Sequence, residues 1–109
     1  MNSKRKGNAG ERELLAILSE HGEAIRNDQT YIGGKGNPDI AFTDGSTRYH
    51  VECKRAERLN IHAAIQQAER DADPADIPIV AHRRNHEDWY ITMRLRHFLQ
   101  ALKGGVKHE

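Results

Sequence analysis

Four side chains in this sequence have the types and spacing to do chemistry together: Glu11, Asp39, Glu52 and Lys54. Glu52 and Lys54 stand two apart in "YHVECK", and Asp39 closes the tripeptide "NPD" upstream. Side chains alternate along a strand, so Glu52, Lys54 and His50 share one face, while Tyr49, Val51 and Cys53 take the other. Each residue also has an ordinary reading. Glu11 would favour the positive end of a helix dipole. Asp39 would be a turn aspartate behind Pro38, which marks a strand edge. Glu52 and Lys54 would be an exposed ion pair, and His50 would equally cap an exposed strand. Taken jointly, a hairpin lays Asp39 beside Glu52, and a first helix brings Glu11 over them. Such a cluster of hard oxygen donors suits Mg²⁺, which keeps several of its waters. The cation would lower the pKa of a bound water and neutralise charge on a phosphodiester. Lys54 would orient that water or stabilise the charge developing in the transition state.

The elements that must position these groups are legible from periodicity. Leu14, Leu15, Ile17 and Leu18 recur at helical spacing, which predicts a helix over 9–21 ended by Gly22. Asn8 and Glu11, three apart, match a capping box. Residues 1–7 read as a loose basic arm. A short strand is expected over 24–27, then the glycine-rich loop "YIGGKGNPD". Strands over 38–43 and 48–54 flank "DGS", a hairpin turn. Ile61, Ala64, Ile65, Ala68 and Ala72 make one stripe of a helix that Pro74 ends. Strands over 77–81 and 89–92, a closing helix over 93–102 and a flexible tail from 103 complete the order. A helix crossing between strands permits a mixed sheet flanked by helices.

Composition bounds the molecule further. The chain has 109 residues, which points to a single domain over 1–109. Its hydrophobic content of 37% and charged content of 30% describe a thin core under a polar surface. The net charge of +1 names no partner, but Lys4, Arg5 and Lys6 cluster, as do Lys54, Arg55 and Arg58, and Arg83 with Arg84. Such clusters suit nucleic-acid contact as well as ordinary solvated charge. Cys53 is the sole cysteine, so no internal disulfide forms, and it reads as a small core residue rather than a nucleophile. No apolar run is long enough to span a bilayer and the start has no signal-peptide core, so a cytoplasmic protein is expected, with no membrane partner. His82 and His86 are four apart but lack a cysteine pair, which argues against zinc. Trp89, Tyr90 and Phe98 read as core or interface residues.

Three segments together resemble a known family: "RKGNAGERELLAILSEHG", "NPDIAFTDGSTRYHVECK" and "IPIVAHRRNHEDWYI". "NPD…VECK" is similar to the bipartite motif of the PD-(D/E)xK nuclease superfamily. The basic opening with Gly, then Glu-Arg-Glu-Leu, resembles more closely the archaeal-type Holliday junction resolvases, which also occur in phages. The likeness covers residues 4 to 98. It implies an α/β restriction-endonuclease-like core, with a mixed central sheet of about five strands flanked by helices. It implies that Glu11, Asp39 and Glu52 bind Mg²⁺, with Mn²⁺ as a substitute, and that Lys54 is the catalytic lysine. A polar residue on the following helix would face the site, Gln67 or its neighbour Gln66. Thr30 would supply a hydroxyl before the second strand, although "TYIGGKGN" departs from the family's shorter serine-containing segment.

Under this resemblance the chain is a metal-dependent endodeoxyribonuclease that cleaves branched DNA, most simply a four-way junction. Arg5, Lys6, Lys35, Arg55 and Arg58 would contact phosphates, which positions DNA without reading its sequence. Paired symmetric cuts call for a twofold homodimer, with Trp89, Leu95, Phe98 and Leu99 as part of the interface. A phage-encoded enzyme would act in the host-cell cytoplasm. The rival readings are a VRR-type nuclease that cuts flaps or nicks, a non-catalytic DNA-binding module, and a structural domain.

Overall fold

The computed structural model describes residues 3–27 and 38–104, with side chains from residue 8 onward. Helix α1 (Ser3–Ser19) leads into strands β1 (Glu23–Arg26), β2 (Ile40–Asp44) and β3 (Thr47–Arg55). Helix α2 (Ile61–Asp71) follows, then β4 (Ile77–Arg83), β5 (Tyr90–Thr92) and helix α3 (Leu95–Leu102). The strands form one five-stranded sheet in the order β1-β2-β3-β4-β5. Only the β3–β4 pair is parallel. A parallel pair needs a crossover, and α2 supplies it.

The hairpin between β2 and β3 turns at Gly45 and Ser46, with Asp44 paired to Thr47. Gly45 has φ +62°, a left-handed value that glycine adopts without strain. Asn60 caps α2 by accepting from the Ala63 N–H at 3.1 Å. Residues 77–81 of β4 are all buried, because both faces of this strand are covered. Pro78 is tolerated there because β5 reaches β4 only from Val80 onward.

Two apolar layers clamp the sheet. On one face Leu14 of α1 packs with Ile40, Val51, Ile77, Ile79 and Ala81. On the other face Ala64 and Ala68 of α2 pack with Val80. Gly22 lets the chain turn from α1 into β1 against the hairpin: a Cβ there would lie 2.5 Å from the Thr43 carbonyl oxygen.

Two expectations fail at the start of the chain. Residues 3–7 are helical rather than a loose arm. Lysine and arginine are good helix formers, and nothing in "SKRK" breaks the helix. Asn8 therefore lies inside α1 and cannot cap it, and its Oδ1 accepts from Arg26 Nη2 at 3.1 Å instead. Elsewhere the boundaries move by at most two residues, as frayed ends do. Asp39 falls just outside β2, and α3 begins at Leu95 rather than 93.

Candidate functional site

Strand β3 sets the site. Its alternation turns His50, Glu52 and Lys54 toward the α2 side, and Val51 and Cys53 toward α1. The β2–β3 register runs from Asp44↔Thr47 to Ile40↔Val51. One step further along, Asp39 falls opposite Glu52. The Cys53 backbone N–H donates to Asp39 Oδ2 at 2.8 Å and fixes that carboxyl where the hairpin ladder ends.

The two carboxyls share one partly dry environment. Glu52 is 4% exposed. Burial first, and the Glu52 charge next, push the Asp39 carboxyl up to about 7, while the Cys53 N–H pulls in the opposite direction. Glu11 adds to the upward push, so its charge also reaches Asp39. Glu11 is otherwise engaged: its Oε1 accepts from Arg26 Nε at 3.0 Å. Arg26 was not anticipated from the sequence, since it belongs to no motif and reaches α1 only because β1 pairs with β2. His50 approaches Glu52 from the other side, with Nε2 2.9 Å from Glu52 Oε1.

Lys54 lies next along the same face. Its ammonium donates to Gln67 Oε1 at 3.3 Å across to α2, whereas Gln66 is exposed. The structure therefore brings Gln67, not Gln66, to the lysine. Burial pushes the Cys53 thiol up to about 12, as suits a half-buried core residue with no free thiolate near neutral pH.

The residues expected to contact DNA are placed unevenly. Arg58 is exposed just before α2. Arg55 is half-buried: its Nη2 donates to Asn85 Oδ1 at 3.0 Å, and a Cβ on Gly10 of α1 would lie 3.0 Å from its own Cβ. Gly10 thus lets α1 lie close over Arg55, which acts as a packed strut and not as a displayed cation. The side chains of Arg5 and Lys6, and the whole of Thr30 and Lys35, lie outside the described residues.

Among the described residues, no three His, Cys, Asp or Glu side chains gather closely enough to hold a metal ion alone. Asp39 and Glu52 still fit Mg²⁺, which is commonly held by one or two carboxylates with waters completing the octahedron. The Glu52 charge that opposes ionisation of the half-buried Asp39 carboxyl is the kind of repulsion a divalent cation between them would relieve. His82 bonds Thr92 Oγ1 through Nε2 at 2.7 Å and stacks on Tyr90, while His86 occupies a turn at φ +62°.

The family model described as "Phage putative PDDEXK endonuclease" matches residues 2–108. No curated protein matches by sequence. Among solved structures, the fold is similar to that of Hjc, a Holliday junction resolvase from the archaeal hyperthermophile Archaeoglobus fulgidus. The TM-score is 0.60 at 23% identity, over 80% of this chain and 76% of that one. That likeness shows the α/β restriction-endonuclease-like fold. With the bipartite Asp39…Glu52-Cys-Lys54 motif assembled at one end of such a sheet, and a family match over nearly its whole length, this chain belongs to the phage PDDEXK endonuclease family.

Proposed function

We propose that this protein is a Mg²⁺-dependent endodeoxyribonuclease that resolves four-way DNA junctions. One observation supports the reading most: Asp39 and Glu52 lie side by side at the end of the hairpin, with Lys54 on the same strand face as Glu52. Asp39 and Glu52 would hold the cation, with Glu11 as a third carboxylate beside them. The cation, Mg²⁺ or Mn²⁺, would acidify a bound water and offset charge on the scissile phosphate. Lys54 would orient the attacking water or stabilise the charge that builds on phosphorus. Gln67 accepts from the ammonium and so restricts where Lys54 can point. Arg26 neutralises one side of Glu11 and sets that carboxylate in place.

We take branched DNA as the substrate class by analogy with the Holliday junction resolvase of similar fold, and Arg5, Lys6, Thr30, Lys35 and Arg58 are the candidates for backbone contacts. Two symmetric cuts require two sites related by a twofold axis. Leu95, Phe98 and Leu102 of α3 line, with Ile91, an apolar groove of about 750 Å³, and Leu99 is exposed on the same helix. This face suits a second copy of the chain. Trp89 takes less part, because its Nε1 donates to Glu13 of α1 at 2.7 Å and its ring packs on the α1-side core. No helix among the described residues is long and apolar enough to cross a membrane, and we place the enzyme in the host-cell cytoplasm.

The test uses labelled four-way junction, flap and linear duplex DNA, with and without Mg²⁺. Paired symmetric cuts on the junction are expected, falling by roughly 10²–10⁴-fold in Asp39→Asn and Lys54→Ala. Preferential flap cutting would instead make the protein a VRR-type nuclease. Binding without cutting under any divalent metal would leave a DNA-binding module.

A further inference from the structure

His50 is the most deeply buried polar side chain in the described residues, at 0% exposure. It sits in the middle of the sheet, flanked by Ala41 on β2 and Pro78 on β4. An imidazole in an apolar layer is costly unless its polar atoms are satisfied. Only one of them is: Nε2 lies 2.9 Å from Glu52 Oε1, while Nδ1 has no partner among the described residues. A valine or leucine would fill this position without leaving an orphaned nitrogen. The hydrogen bond to Glu52 is therefore what the imidazole offers there.

Direction follows from chemistry. An ionised carboxylate only accepts, so the hydrogen of this bond sits on His50 Nε2. That arrangement engages Oε1 of Glu52 on the His50 side, while the same carboxyl meets Asp39. It also fixes the carboxylate torsion from within the same strand, because His50 and Glu52 stand two residues apart on one face. Groups that hydrogen-bond a ligating carboxylate set its orientation and basicity.

We propose that His50 is a positioning residue: through Nε2–H it holds the Glu52 carboxylate in the orientation that receives the divalent cation. The inference rests on the metal-dependent nuclease reading above, and its test separates the two. Mn²⁺ and Mg²⁺ are titrated calorimetrically into wild type, His50→Phe, His50→Gln and Asp39→Asn without DNA, and junction cleavage is then followed against metal concentration. Phenylalanine keeps the ring and removes the donor. Glutamine places an N–H near the Nε2 position. The expected result is metal affinity about 10–100-fold weaker in His50→Phe, largely restored in His50→Gln, with junction affinity in metal-free buffer unchanged. Equal metal affinity in wild type and His50→Phe would overturn the positioning role alone. Absence of metal binding in wild type would overturn the underlying metal reading. Should His50→Phe fail to fold, the wild-type imidazole decides the matter by long-range ¹H–¹⁵N spectroscopy. Hydrogen on Nε2, with a shift on adding Mg²⁺, supports the role. Hydrogen on Nδ1 alone, or no response to the metal, defeats it.

Discussion

Asp39 carries two opposite demands. The Cys53 N–H favours its charged form, while burial and the neighbouring Glu52 oppose it, and the opposing pair wins. An aspartate whose pKa rises from 3.8 to about 7 on folding makes the native state the better proton binder between those values. Its contribution to stability is complete below the lower value and is lost as pH climbs through the upper one. In metal-free protein, Asp39→Asn should therefore be more stable than wild type at about pH 8, by roughly 4 kcal/mol at most. The gain should shrink to nothing at pH values below that of an ordinary aspartate. Thermal unfolding at both ends of that range checks it, and an equal effect at both would mean that Asp39 is not strained by its neighbours. Residue identity made Asp39, Glu52 and Lys54 visible as candidates. It did not separate Gln66 from Gln67, because successive helical residues differ by about 100° in direction and only the docking of α2 chooses one.

At the scale of elements, the site depends on how closely α1 and the hairpin approach the rest of the sheet. Gly22 has no room for a side chain: a Cβ would meet the Thr43 carbonyl at 2.5 Å and Phe42 Cε1 at 2.9 Å. Gly45 has open space around it but a positive φ. Gly22→Ala should cost about 1–3 kcal/mol, because backbone must move. Gly45→Ala should cost about 1 kcal/mol, from the torsion alone. Urea unfolding should show both as shifted midpoints with an unchanged slope. If Gly22→Ala is neutral, the junction of α1 and β1 is looser than described. A second tie holds α1 at the far end of the sheet: Glu13 accepts from Arg83 at 2.8 Å and from Trp89 at 2.7 Å, with Arg83 over the indole ring. These contacts lie about seventy residues apart in sequence and follow no local pattern, so only the fold reveals them.

The whole molecule has a dry side and a wet end. The catalytic candidates gather where β2 and β3 part, while the exposed apolar residues gather on α3 and β5. Leu95 and Leu102 are 69% and 67% exposed, unusual for leucines on the apolar stripe of an amphipathic helix. Under the homodimer proposal, the wild type should sediment as a dimer at micromolar concentration. The double variant Leu95→Asp, Phe98→Asp should sediment as a folded monomer that still binds divalent metal and no longer makes paired cuts. A monomeric wild type would remove α3 as the dimer surface. The two functions are separable because these residues lie on the opposite layer from Lys54 and Gln67.

Strand and helix periodicity, the NPD and ECK spacing and the Gly-turn residues determined the element order and the face shared by Glu52 and Lys54, and the family resemblance implied the five-stranded mixed sheet. Element order and strand face are local properties, written in alternation and in the few residues that turns accept. The tertiary structure alone decided what meets across the sheet. It made His50 a buried partner of Glu52 rather than an exposed cap, paired Glu11 with Arg26, and turned Arg55 from a displayed cation into a strut beneath Gly10. It also extended α1 through the basic start of the chain. The physical reason is common to these cases: burial and partner choice depend on register and packing between distant segments, and a one-dimensional pattern carries neither.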